Sequence, residues 1–163
     1  MSGHLTHFDK QGRPQMVDVS QKEDTSRLAI AKGQVRFSPA AYEKIQTTGS
    51  HKGDIKVISE LAGIMGGKRT SELIPLCHPL PLTGLNVAVT PADDTFSFIV
   101  TAEVKTTGKT GVEMEALTAV TIACLTIYDM GKAIDKGITI EKVQLLEKSG
   151  GKSGNFNRQK EAS

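Results

Sequence analysis

The stretch Leu85-Asn86-Val87-Ala88-Val89-Thr90-Pro91-Ala92-Asp93-Asp94-Thr95-Phe96-Ser97-Phe98-Ile99-Val100-Thr101-Ala102-Glu103-Val104 decides the fold. Leu85, Val87 and Val89 alternate with other residues. Pro91-Ala92-Asp93-Asp94 supplies a turn, and Phe96, Phe98, Val100, Ala102 and Val104 alternate back. Period-two patterning on both sides of a turn specifies two half-buried antiparallel strands. Upstream, Leu28, Ile30, Val35 and Phe37 mark a third strand over 27–37, with Gly33 as a bulge candidate. Downstream, Ile138, Ile140, Val143 and Leu145 mark a fourth, whose break in parity points to a bulge.

Helical spacing fills the gaps. Ser38-Pro39 is an N-cap followed by Pro at the first helical position, opening a short helix to about Thr47. Asp54 caps a second helix with Ile55, Ile58, Ala62 and Met65 as one buried stripe, and Gly66-Gly67 reads as its end. Thr110-Gly111-Val112-Glu113 has the form of a capping box. It opens a long helix with Leu117, Val120, Cys124 and Ile127 on one face, closed by Gly131 or Gly137. Three prolines, at 75, 79 and 81, exclude regular helix or central strand between Ser71 and Leu82. The expectation is an α+β domain: a mainly antiparallel four-stranded sheet with helices packed on one face.

The 163 residues fit one domain. Residues 1–15 and the Gly/Ser/Lys-rich 149–163 read as flexible ends around a single catalytic unit at 16–148. A net charge of +2 gives no reason to expect nucleic acid or an anionic membrane as partner. With 4% aromatic residues there is no stacking platform for single strands. No apolar run approaches the ~18 residues of a membrane span. Met1-Ser2-Gly3-His4 lacks the layout of a secretory signal, and the two cysteines form no disulfide framework. A cytoplasmic chain is expected.

Several residues bear chemistry. His78, in Leu76-Cys77-His78-Pro79, sits on backbone that prolines restrain. No second His or Cys stands at metal-ligand spacing, so no metal site is expected. Glu113 and Glu115 lie near the positive end of the long helix, with Glu113 also the third residue of its capping box. Asp129 and Lys132, three apart, share a helix face, as an ordinary surface pair or as a carboxylate orienting an amine. Gly66-Gly67-Lys68-Arg69 and Gly150-Gly151-Lys152-Ser153 resemble phosphate-binding turns but lack the spacing of a P-loop, which excludes an NTPase of that type. Lys52 and Lys68 are separated by ~24 Å of straight helix, and Glu115 and Asp129 by ~21 Å. If all serve one small-molecule site, two subunits contribute to it, so an oligomer with interfacial sites is expected.

The segments Leu73-Ile74-Pro75-Leu76-Cys77-His78-Pro79-Leu80 and Thr110-Gly111-Val112-Glu113-Met114-Glu115-Ala116-Leu117-Thr118-Ala119 resemble the molybdenum cofactor biosynthesis protein C family, the cyclic pyranopterin monophosphate synthases. So do Met16-Val17-Asp18-Val19, Lys52-Gly53-Asp54, Ala62 to Lys68, Tyr128 to Ala133 and Lys148 to Gly154. The resemblance covers roughly residues 5–156 and implies a ferredoxin-like fold assembled as a homohexamer, a trimer of dimers. It implies conversion of 3′,8-cyclo-7,8-dihydroguanosine 5′-triphosphate to cyclic pyranopterin monophosphate and pyrophosphate. Ring opening, ring closure and cyclic phosphate formation all move protons, so positioned acids and bases suffice and no cofactor is required. Magnesium accompanying the pyrophosphate is left open. On the family pattern Lys52 and Lys132 are the acid/base pair and Asp129 orients Lys132. Leu76, Cys77, His78, Glu113, Met114 and Glu115 contact substrate, and Arg27, Lys68 and Lys148 meet phosphate. The competing expectation is a non-catalytic nucleotide- or pterin-binding regulatory protein.

Overall fold

A computed structural model describes residues 6–48, 54–152 and 154–158. Strand β1 (Thr25–Arg36) leads to helices α1 (Pro39–Thr48), α2 (Ile55–Lys68) and the short α3 (Thr70–Leu73). The hairpin β2 (Leu82–Ala92) and β3 (Ser97–Gly108) follows, then α4 (Glu113–Gly131), β4 (Thr139–Ser149) and β5 (Phe156–Asn157). The sheet order is β2-β3-β1-β4-β5, antiparallel throughout. The first and third strands are thus central, as in a ferredoxin-like α+β fold. The expected four-stranded sheet gains a fifth, two-residue strand, because Phe156 and Asn157 pair with Lys148 and Glu147.

The alternation read from the hairpin is the alternation of burial. Val87, Val89, Phe98, Val100, Ala102 and Val104 are buried, and across β1 so are Ala29, Ala31 and Val35. This face packs under α4, which contacts β1, β3 and β4, while α2 lies against α4 and β2. The turn differs from the expectation. Pro91 and Ala92 still pair with Phe98 and Ser97, and the reversal is a single 3₁₀ turn at Asp93–Thr95. Phe96 closes it in the left-handed region (φ 49°), so it is a turn residue, not a strand position. The Tyr42 hydroxyl donates to Asp93 Oδ1 at 2.6 Å and ties that turn to α1.

Three boundaries depart from the sequence reading. Gly66-Gly67 does not end α2, which runs on to Lys68. Of the stripe expected to be buried only Ile55 is, since Ser59, Gly63, Gly66 and Gly67 form the inner face and Ile58 and Met65 are exposed. These glycines are contact points: a Cβ on Gly66 would sit 2.6 Å from Ile122 Cγ1, and one on Gly67 2.6 Å from Leu85 Cδ1. The capping box does not form. The N-cap of α4 is Val112, without a side-chain cap bond, and Glu113 is the first helical residue. The Pro-rich stretch is preceded by the single turn α3, which stops before Pro75. The parity break in β4 is real, since its register against β1 shifts twice. The extra residues lie in β4, where Lys142 has φ 53°; one shift falls at Gly33, the expected bulge position, which pairs with Val100 on one side and has no partner in β4 on the other. Helix α4, 19 residues with a mean hydropathy of 1.2 over an 18-residue window, is by length and composition alone apolar enough to cross a membrane. Its apolar residues Ala116, Ala119, Val120, Ala123, Cys124 and Ile127 are buried against the sheet, which makes it the core helix.

Candidate active site

A cleft of about 530 Å³ opens where β1, β4, the β3–α4 loop and residues 22–25 meet. Five of its lining side chains are cationic (Lys22, Arg27, Lys109, Lys148, Lys152) and two are acidic (Glu23, Glu113). Arg27 forms its floor. Only 9% exposed, it donates from Nε to the Gly108 carbonyl at 2.9 Å and from Nη2 to the Lys109 carbonyl at 3.0 Å. It pairs with no carboxylate among the described residues. A buried cation without a counter-ion costs several kcal/mol unless something compensates it, so the cleft has the electrostatics of an anion site.

Two glycines make that floor possible. Gly150 and Gly151 both have positive φ, 91° and 78°, a conformation other residues rarely adopt. A Cβ on Gly150 would collide with the Ser26 carbonyl oxygen, and one on Gly151 with Arg27 Nη1. The chain leaving β4 therefore wraps directly over the guanidinium. On the opposite wall, Lys109 Nζ donates to the Ser20 carbonyl at 2.8 Å and holds the segment that carries Lys22 and Glu23. Lys148 Nζ meets Glu113 Oε1 at 3.1 Å.

A second group lies around the Pro-rich loop. His78 Nε2 is 2.8 Å from the Val17 carbonyl. An imidazole can meet a carbonyl only as donor, so Nε2 carries the proton and Nδ1 is left to accept while the ring is neutral. Glu115 is 4% exposed, and burial pushes its carboxyl above the usual range, with the Glu113 charge adding to the effect against its own backbone N–H. Burial, then the charge of Glu115, likewise raises the Cys77 thiol. Lys68, at the end of α2, shares with Glu115 and Leu80 a recess of about 100 Å³. Leu76 is half-buried and Met114 is 38% exposed.

The third group is at the far end of α4. Lys132 Nζ donates to Asp129 Oδ1 at 2.5 Å, and both side chains are more than half exposed. The hydrogen bond to Asp129 and its charge raise the amine's pKa, so within one chain Lys132 is held protonated. Lys52 lies outside the described residues. Glu113 and Asp129 are sixteen residues apart on one helix, an axial rise of ~24 Å.

Of the residues expected from the sequence, Arg27, Glu113 and Lys148 share the large cleft. Lys68 and Glu115 line the small recess, Cys77 lies on the Pro-rich loop, and Asp129 and Lys132 stand apart. Sequence reasoning missed Lys22, Lys109 and Lys152. A signal for Lys152 was present: the Gly-Gly-Lys run looked like a phosphate turn, and its glycines do shape an anion cleft, though not as a P-loop.

Comparison with known proteins adds the following. Residues 16–151 match the MoaC family. A relative from Dinoroseobacter shibae, named cyclic pyranopterin monophosphate synthase, is 54% identical over 156 residues, covering 96% of this chain and 98% of the relative. Relatives of the same name from Brevibacillus brevis (50% over 158 residues, 97% and 98% covered) and Nostoc sp. (54% over 155 residues, 95% and 92% covered) agree with it.

Proposed function

The chain belongs to the MoaC family, and we propose from that premise how this cyclic pyranopterin monophosphate synthase, a lyase of molybdenum cofactor biosynthesis, divides the work among its residues. The substrate is 3′,8-cyclo-7,8-dihydroguanosine 5′-triphosphate, and its triphosphate seats in the cationic cleft on Arg27 and Lys148, with Lys22, Lys109 and Lys152 around it. The observation that carries this reading is the buried Arg27 guanidinium, held by two carbonyls and by no carboxylate among the described residues. Donors fixed in place stabilise the charge that develops as the P–O bond to the departing pyrophosphate lengthens.

The purine end then extends toward the Pro-rich loop, where Leu76, Cys77, His78, Met114 and Glu115 contact it and Lys68 supplies a further cation. Ring opening and pterin closure need a donor and an acceptor of protons. Asp129 holds the Lys132 amine in place through their hydrogen bond, and on the family pattern Lys132 and Lys52 form the acid/base pair. When the cyclic phosphate forms, a sugar hydroxyl loses its proton, its oxygen bonds the α-phosphorus, and pyrophosphate leaves. No electrons are transferred, so the scheme calls for no redox cofactor, and magnesium enters only with the pyrophosphate.

Lys132 and the cleft sit at opposite ends of α4, so a complete site needs a second copy. The assembly belonging to this reading is a homohexamer, a trimer of dimers, in the cytoplasm. The outer face of α2 supports association, since Val57, Leu61 and Met65, at successive helical turns, are each at least half exposed.

The test is conversion of the cyclic triphosphate by Lys132→Ala, with binding measured alongside. Losing a general acid costs ~10²–10⁴-fold in turnover, and binding through the cleft should largely persist. Unchanged turnover sinks the catalytic role of Lys132. Wild-type protein that binds but never converts the ligand would instead be the regulatory binder.

A further inference from the structure

Glu113 is out of place in the cleft. A carboxylate beside five cations that receive a triphosphate opposes the ligand, and the helix does not require it there, since Glu113 forms no capping box. Its charge at the first turn of α4 suits the helix dipole, but that benefit needs no lysine from a strand 35 residues on. The carboxylate is nonetheless held in place. It folds back over Gly111 so closely that a Cβ there would collide with Oε2, and it meets Lys148 Nζ at 3.1 Å. Both side chains of this pair are about three-quarters buried. Lys148 pairs across the sheet with Ala29, two residues from Arg27, so its amine belongs to the same phosphate-facing wall.

We propose that Glu113 is an internal competitor for the phosphate groups, a specificity-determining residue that occupies Lys148 in the empty cleft and reclaims it when pyrophosphate leaves. The inference rests on the reading of the cleft as the triphosphate seat. A carboxylate and a phosphate oxygen offer an ammonium group the same charge-assisted hydrogen bond. Exchanging one for the other therefore leaves Lys148 satisfied in both states and lowers the net gain on binding. The chemistry has a use for that. Five uncontested cations would retain a small polyanion, and slow product release limits turnover. Glu113 gives up its lysine to a ligand that brings enough charge and other contacts to displace it, and restores the pair behind the leaving group.

Glu23 provides the control. It lines the same cleft but makes no ion pair among the described residues, so Glu23→Gln removes one negative charge without releasing a lysine. The experiment is calorimetric titration of inorganic pyrophosphate into the full-length protein in its native assembly. Variants are Glu113→Gln, Glu23→Gln, Lys148→Met and the double variant Glu113→Gln/Lys148→Met. Glu113→Gln should bind about tenfold more tightly than wild type, ~1.4 kcal/mol, with Glu23→Gln gaining clearly less. The gain should vanish in the Lys148→Met background. Gln preserves the shape of Glu, and a role confined to the helix dipole would lower the melting temperature without tightening binding. Unchanged or weaker binding by Glu113→Gln overturns the proposal, as does an equal gain in Glu113→Gln and Glu23→Gln, or a gain that survives loss of Lys148. Wild-type protein that does not bind pyrophosphate at all overturns the cleft assignment itself, together with this inference.

Discussion

Glu115 is 4% exposed on the first turn of the core helix, and its ionised form loses most of its water. Its carboxyl is therefore raised above the ordinary 4.5 by burial, with the Glu113 charge adding and its own backbone N–H partly offsetting. The folded state thus holds this proton more tightly than the unfolded state does. The linked stability is fully present below the ordinary carboxyl range and is lost as pH rises through the elevated folded value. Glu115→Gln stays neutral at every pH and keeps the shape. It should match wild type in urea unfolding at acid pH and exceed it above the carboxyl range, the gap widening with pH until the folded carboxyl has ionised. Parallel stability curves from pH 4 to 8 would show that burial of Glu115 costs nothing. After burial, the charge of Glu115 also raises the Cys77 thiol, so its protonation is felt by a group assigned to substrate contact.

Among the elements, the α2–α4 pair is the most constrained. Gly63, Gly66 and Gly67 let the helices approach until side-chain and backbone atoms of α4 fill the space. At Gly63 a Cβ would lie 2.9 Å from the Ala119 carbonyl oxygen, a backbone atom that cannot turn aside. Alanine at an open helical position gains ~1 kcal/mol over glycine. Here overpacking should outweigh that, and Gly63→Ala should destabilise by about 1–3 kcal/mol in denaturant titration; a stabilised variant would show the helices free to part. The same glycines mark where sequence reasoning stops. Period-two alternation from Leu85 to Val104 foretold the hairpin because one face must be buried, and broken parity at Ile140 and Val143 foretold the β4 bulges for the same reason. Gly66-Gly67 looked like a helix end because local propensity cannot see that Ile122 and Leu85 press on them from across the fold. Thr110 and Glu113 had the spacing of a capping box, but Glu113 is drawn to Lys148, a partner no local pattern encodes. Phe156-Asn157 was too short a strand to read. Lys22 and Lys109 looked like any surface lysine until β1, β4 and the α4 loop brought them together.

For the whole molecule the question is how one reaction uses both ends of α4. The proposed acid/base residues near Asp129 and the proposed phosphate cleft beside Glu113 are ~24 Å apart along the helix axis, too far for one protomer's groups to reach a compact reacting centre. The ferredoxin-like sheet does not bend α4 or fold one end onto the other, because the helix is packed along its length on β1, β3 and β4. On the proposed function each site combines the cleft of one protomer with the Lys132 end of another, and this predicts subunit complementation. Lys148→Ala damages only the cleft and Lys132→Ala only the acid. When the two inactive variants are unfolded together, refolded and assayed, a mixed pair of protomers contains one site carrying both defects and one carrying neither. Activity should return to roughly a quarter of wild type for random pairing, the fraction of sites that receive both intact halves, while each variant refolded alone stays inactive. A mixture as inactive as its components, in particles shown by mass to be mixed, would mean that a single chain supplies Lys132 and Lys148 to the same site, and α4 would have to lie differently against the sheet than it does here.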